Sequence, residues 1–123
     1  MPREESSIEW VTYGDSLAHR LVAIRKERGL SQEALAQLAG VHRNQVSNIE
    51  RNVSSGDRSA DPHLSTIYAL ASALGVAPKL LLPDVDTLVA RRSAEQESAE
   101  AMSRVEDDLR ELLQRTYFRS TEE

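Results

Sequence analysis

The chain has 123 residues, and its three histidines, His19, His42 and His63, are its candidates for proton transfer near neutrality. They fall on separate predicted elements, and no cysteine is present to act as nucleophile, redox centre or zinc ligand. No phosphate-cradling glycine loop and no metal-ligand spacing occurs either. Catalysis therefore lacks its parts: we assign no catalytic residue and no metal ligand, and expect no cofactor. What remains is a set of hydrogen-bonding forks, Arg43, Asn44 and Gln45 in succession with Asn48 one helical turn on. Their stretch carries no acidic side chain, so these amide and guanidinium groups are free to offer donors and acceptors outward.

Charge at first argues against a polyanionic partner, because the formal net charge is −5. Its distribution reverses that inference. Residues 1–83 hold nine Lys/Arg and nine Asp/Glu, whereas residues 84–123 hold six Arg against eleven acids and supply the whole imbalance. Within 16–60, seven basic residues face four acidic ones, an excess of +3. Aromatic residues make up only 4% of the chain, which argues against platforms for stacking single-stranded bases. With no apolar run long enough for a membrane span and no secretory leader pattern, we expect a cytoplasmic chain without a membrane partner.

The elements that must carry these side chains read as all-α. Residues 1–15 look like an arm, loose or partly docked, with Trp10 and Tyr13 available to pack. A helix is predicted from Asp15 or Ser16 as N-cap, with Leu17, Leu21 and Ile24 inward and Gly29 as its stop. Ser31 caps a second, short helix that buries Leu35, Leu38 and Ala39 and ends at Gly40. A third runs from Arg43 to Arg51 with Val46 and Ile49 inward, and Asn52 suits the left-handed position after it. Residues 52–61 read as a loop. Asp61 and Pro62 are expected to open a fourth helix that ends at Gly75. A one-turn fifth helix follows Pro78. From Asp84 to about Tyr117 strong helix formers run without Pro or Gly, predicting one long helix or two joined at a weak point. The expected division is an arm at 1–15, a domain at 16–83 and a C-terminal helix at 84–123.

The stretch LSQEALAQLAGVHRNQVSNIERN, Leu30 to Asn52, resembles the helix-turn-helix of the phage-repressor/Cro group, the XRE family. The resemblance covers roughly residues 16–82 and continues into LSTIYALASALGVAPKLLL. It implies a five-helix lambda-repressor-like domain. The function it implies is a homodimeric, sequence-specific transcriptional regulator that binds an inverted repeat in double-stranded DNA. The recognition helix would be 43–51, with Arg43, Asn44, Gln45 and Asn48 at base edges. Arg pairs bidentately with guanine, and Asn or Gln with adenine, each worth about 1–3 kcal/mol of discrimination. Gln32 and Ser31, at the start of the second helix, would meet phosphate, joined by His42, Arg51, Asn52, Arg58 and Arg28. Arg25 and Glu50 are implied as an ion pair between the first and third helices.

Two departures from the family stand out. His42 occupies an N-cap where Ser or Thr is usual, which should leave the helix start less fixed. The loop between Glu50 and Pro62 is longer than is common, and we expect it to be mobile. Beyond the domain, Met102, Val105, Leu109, Leu112 and Thr116 alternate in spacings of three and four, as in a helix-pairing seam. They are read as a dimerisation helix, with packing against the chain's own domain as the rival. Glu106, Asp107, Asp108 and Glu111 should then point away from DNA. The alternative function is an antitoxin or adaptor whose C-terminal helix grips a second protein.

Overall fold

The computed structural model describes residues 7–122, with side chains described through Arg115. Among these residues five α-helices are formed: α1 Trp10–Glu27, α2 Gln32–Ala39, α3 Arg43–Arg51, α4 Leu64–Leu74 and α5 Ala99–Glu122. Single 3₁₀ turns lie at Pro78–Leu80 and Ala94–Gln96, and no strand occurs among the described residues. The first of these turns takes the place of the expected fifth helix. One core joins Leu17, Leu21 and Ile24 of α1, Leu35 of α2, Val46 and Ile49 of α3 and Leu70 and Leu74 of α4. The helix stops are local: Gly40 and Gly75 take left-handed φ of 71° and 70°, and so does Asn52 at 55°.

The arm ends earlier than its polarity suggests. α1 begins at Trp10 with Glu9 as its N-cap, so neither Asp15 nor Ser16 caps it. Tertiary contacts supply the reason. Trp10 stacks on Tyr13 and donates its indole N–H to Ala60 O at 2.7 Å, while the Tyr13 hydroxyl donates to Ala90 O at 2.6 Å. Gly14, an apparent breaker, is required inside the helix because a Cβ there would overlap the side-chain amide of Asn52. α4 also shifts, starting at Leu64 with His63 as N-cap rather than at Asp61–Pro62. Ala60 is buried and fixed by Trp10 and by Asn52 Oδ1, which accepts from its N–H at 3.1 Å. Residues 61–63 are thereby used to bridge from that anchor to the helix. The 52–61 loop, expected to be mobile, has this anchor at one end and a Ser54 N–H to Arg58 O bond of 2.8 Å inside it.

The largest difference lies after Pro83. Residues 84–98 form an irregular strap across α1, not the first half of a long helix. Glu9 N–H reaches Arg91 O at 2.6 Å, Ser93 N–H reaches Thr12 Oγ1 at 2.9 Å, and the Ser93 and Ser16 hydroxyls are 3.0 Å apart. Glu95 pairs bidentately with Arg20, at 3.0 Å from Nε and 2.7 Å from Nη2, and accepts from Asp84 N–H at 3.0 Å. Helical backbone through this segment would take those groups away from α1, so a set of tertiary bonds overrides propensities of a few tenths of a kcal/mol per residue. Ser98 Oγ then caps α5 by accepting from Ala101 N–H at 3.0 Å.

α5 runs parallel to α1, as successive pairs show: His19 Nδ1 lies 2.7 Å from Glu106 Oε2, and Gln114 Nε2 donates to Glu27 at 3.1 Å. Met102, Leu109 and Leu113 are buried and Val105 is half-buried. The expected dimer seam of Met102, Val105, Leu109 and Leu112 is thus corrected in two ways. Its first three members pack within the chain, and Leu113, at 1% exposed, completes the stripe in place of Leu112 at 39%. The physical reason is that α1 offers the exposed end of the domain core as an apolar surface within reach of the tail. Thr116 lies outside the described side chains.

Candidate nucleic-acid interface

The site is built on α2, its turn and α3. Ser31 Oγ accepts from Ala34 N–H at 3.0 Å, fixing the start of α2. Gly40 turns the chain and His42 caps α3 reciprocally. His42 Nδ1 accepts from Asn44 N–H at 3.1 Å, and Gln45 Oε1 accepts from His42 N–H at 3.0 Å. The start of α3 is therefore fixed, contrary to the expectation from imidazole at this position. A capping Gln three residues after the N-cap was a readable signal, since His42-Arg43-Asn44-Gln45 matches the capping-box spacing with His in place of Ser or Thr.

With Val46 fully buried and Ile49 4% exposed, α3 turns its other face outward. Arg43, Asn44 and Gln45 are exposed there and Asn48 is half-buried. Two of these forks are partly engaged. Arg51 Nη2 donates to Asn48 Oδ1 at 2.9 Å, and the amide oxygen of Gln45 is held by the cap. Bidentate pairing with adenine needs both Oε1 and Nε2, so Gln45 in this state offers only its Nε2 donor.

α3 is locked to the domain at its far end. Arg25 Nε and Nη2 meet the two Glu50 oxygens at 2.6 and 2.9 Å, and Arg25 Nη1 donates to Leu30 O at 2.8 Å. Gln32 Nε2 adds a bond to Glu50 Oε1 at 2.9 Å, so the expected phosphate ligand at the start of α2 rests on this pair. With side chains 12% and 6% exposed, Arg25 and Glu50 form a buried, fully bonded junction of α1, α2 and α3.

The remaining phosphate candidates separate. Arg51 and Arg58 are exposed, as is His42. Arg28 is spent on the C-terminal end of α4, donating to Leu74 O at 2.8 Å. Asn52 faces inward. Its Nδ2 donates to Val11 O at 3.0 Å and Asp15 Oδ1 at 2.8 Å, and its Oδ1 holds Ala60. Its chemistry is that of a helix stop and a three-way anchor, so it is not available to phosphate. Asn52→Gly should keep the left-handed turn but lose the anchor, and Asn52→Ala should lose both. We expect the alanine variant to melt below the glycine variant by the equivalent of about 1–2 kcal/mol, the left-handed penalty, in thermal denaturation. Sequence reading offered Trp10 as available to pack without naming its partner, and it missed Ser93 and the Arg20–Glu95 pair; these hold the arm and strap through partners 50 or more residues away, which leave no local pattern.

Two short helices joined by a tight turn, one presenting a polar face while its opposite side enters the core, define a helix-turn-helix of the phage-repressor type. The chain belongs to the HTH_3 helix-turn-helix family, whose model matches residues 21–81. It is 39% identical over 85 residues to an immunity repressor protein of Bacillus phage phi105, a match covering 69% of this chain and 54% of that protein. This chain thus spans about half the length of that relative. It is also similar to the restriction-modification controller protein C.AhdI from Aeromonas hydrophila, with 35% identity, 56% of this chain and 96% of that chain covered, and a TM-score of 0.50. A likeness to a chain of the SinR protein/SinI protein complex extends further, over 85% of this chain and 98% of that one, at 26% identity and a TM-score of 0.50. These relationships place the chain in a helix-turn-helix family whose relatives are named as a repressor and a controller protein.

Proposed function

We propose that the chain reads a specific double-stranded DNA sequence by placing α3 in the major groove, and that it does so as a homodimer on an inverted repeat. The observation that carries this reading is the exposed Arg43–Asn44–Gln45 face at the N-terminal end of a helix locked from behind by Arg25, Gln32 and Glu50. A helix of this length fits the groove, and its N-terminal residues reach the base edges. Arg51, Arg58 and His42 are then the candidates for phosphate, with Ser31 and Gln32 at the start of α2 beside them. Such a role places the chain in the cytoplasm with the DNA it reads; among the described residues no helix is long and apolar enough to cross a membrane.

A two-fold dimer would hold two recognition helices about 34 Å apart, one for each half-site. Because the α5 stripe is occupied within the chain, the second copy has to meet another surface. Sedimentation of the full chain with and without DNA tests this part of the reading. A second reading, an adaptor or antitoxin that engages another protein, draws support from the likeness to a chain named as part of a two-protein complex. In that case the partner would have to displace or extend α5.

The experiment for the main reading is a genomic pulldown or footprint with Arg43→Ala beside the wild type. Loss of one bidentate base contact should weaken binding by about 5- to 150-fold and relax preference at a single base pair. A variant that protects the same sites with wild-type affinity would remove Arg43 from the base-reading set.

A further inference from the structure

We propose that His42 is the positioning residue of the recognition helix and that only its neutral form holds α3 in the state that reads DNA. The inference rests on the DNA-reading function proposed above and deepens it. Its basis is the reciprocal cap: Nδ1 accepts the Asn44 N–H at 3.1 Å, and the His42 backbone N–H is held by Gln45 Oε1 at 3.0 Å. An Nδ1 that accepts is unprotonated, which fixes the tautomer and leaves Nε2–H as the outward donor of an exposed ring. Protonation converts the acceptor into a donor. Two N–H groups would then face each other across the cap, and a positive charge would sit at the positive end of the helix dipole. The event removes the acceptor of the Asn44 N–H directly; the Gln45 Oε1 bond is to the His42 backbone N–H, not to the ring, and is lost only as the start of the helix itself loosens.

Serine or threonine at this position would cap without titrating, so histidine makes the helix start sensitive to pH where the usual residue does not. The surroundings supply little to offset the added charge. Gln37 to Val41, which lead into the cap, are uncharged, and Arg43 is the only charged neighbour within α3's first turn. From α2, Glu33 lies in the opposite, N-terminal turn. From α1, Asp15 and Arg25 meet the far end of α3 at Asn52 and Glu50. Asp61 and His63 share a groove with Gln45 and Asn48, which makes His63 the second titratable group to control.

The test uses the full chain and a duplex that it enriches from a random-sequence pool at about pH 8. Affinity for that duplex is measured for the wild type, His42→Ser and His63→Gln at about pH 8 and about pH 5.5, a range that spans histidine titration. The ratio of wild-type to His42→Ser affinity is expected to fall about fivefold on acidification, the worth of one helix cap. His63→Gln should follow the wild type. In parallel, hydrogen exchange at the Asn44 amide should show protection lost in the wild type relative to His42→Ser at the lower pH. A ratio that stays flat, or that rises because the imidazolium gains a phosphate, overturns the proposal, as does a pH response abolished by His63→Gln. If Asn44 loses protection while the affinity ratio is flat, this proposal falls and the DNA-reading function stands. If no duplex is enriched at pH 8, that function fails and takes this proposal with it.

Discussion

Glu50→Ala is expected to lower stability by about 3–5 kcal/mol, because it strands a buried cation rather than removing an exposed one. Arg25 is 12% exposed and gives Nε and Nη2 to Glu50, so without the carboxylate its only remaining protein partner in the described contacts is Leu30 O. Gln32 loses its acceptor in the same step. For a chain of this size each kcal/mol is worth a few degrees, so the melting temperature should fall by roughly 10 °C or more in a calorimetric scan. Binding of DNA should weaken only as far as the folded fraction does, because Glu50 lies behind the recognition face. Arg43→Ala provides the contrast, with a wild-type melt and weakened binding. A Glu50→Ala protein that melts with the wild type would show that the junction of α1, α2 and α3 is held by something else.

The second large effect separates the two registers open to α5. Leu113→Ala is expected to cost about 2–5 kcal/mol, the usual range for truncating a buried leucine, because Leu113 is 1% exposed and belongs to the same core as Leu21 and Leu70. Leu112→Ala, at a position 39% exposed, should cost well under half of that. If α5 were instead a dimer seam in the register of Met102, Val105, Leu109 and Leu112, the order would reverse and the Leu112 variant would show a melt that depends on protein concentration. Denaturant titration of both variants at two concentrations decides between them.

How far the fold was legible depended on the range of the interaction. α3 is formed with the boundaries its sequence suggests, because its start, its Val46–Ile49 inward pair and its left-handed stop at Asn52 are all local. Gly40 and Gly75 end their helices for the same reason. Segment 84–98 was misread because helix propensity is also local, and there it competes with Thr12, Ser16 and Arg20, which lie some 70 to 80 residues earlier. Gly14, inside α1, is likewise explained only by a distant contact: its missing side chain makes room for Asn52. In the site, the outward types of Arg43, Asn44 and Gln45 could be read directly. That the oxygen of Gln45 is used by the cap is consistent with its spacing from His42 but is shown only by the folded structure.

By itself, then, the sequence determined the two short helices of the helix-turn-helix, the polar character of the face they present and the placement of negative charge in the tail. Those features follow from side-chain type and from periods of three to four residues, which act within one or two turns. The tertiary structure decided where α1 begins, that the tail covers α1 instead of offering a seam, and which polar side chains remain free. Each of those outcomes turns on a donor meeting an acceptor, or an apolar stripe meeting an apolar surface, across many residues of chain. Burial makes such pairings worth more than local propensity, and only the packed arrangement reveals which partners meet.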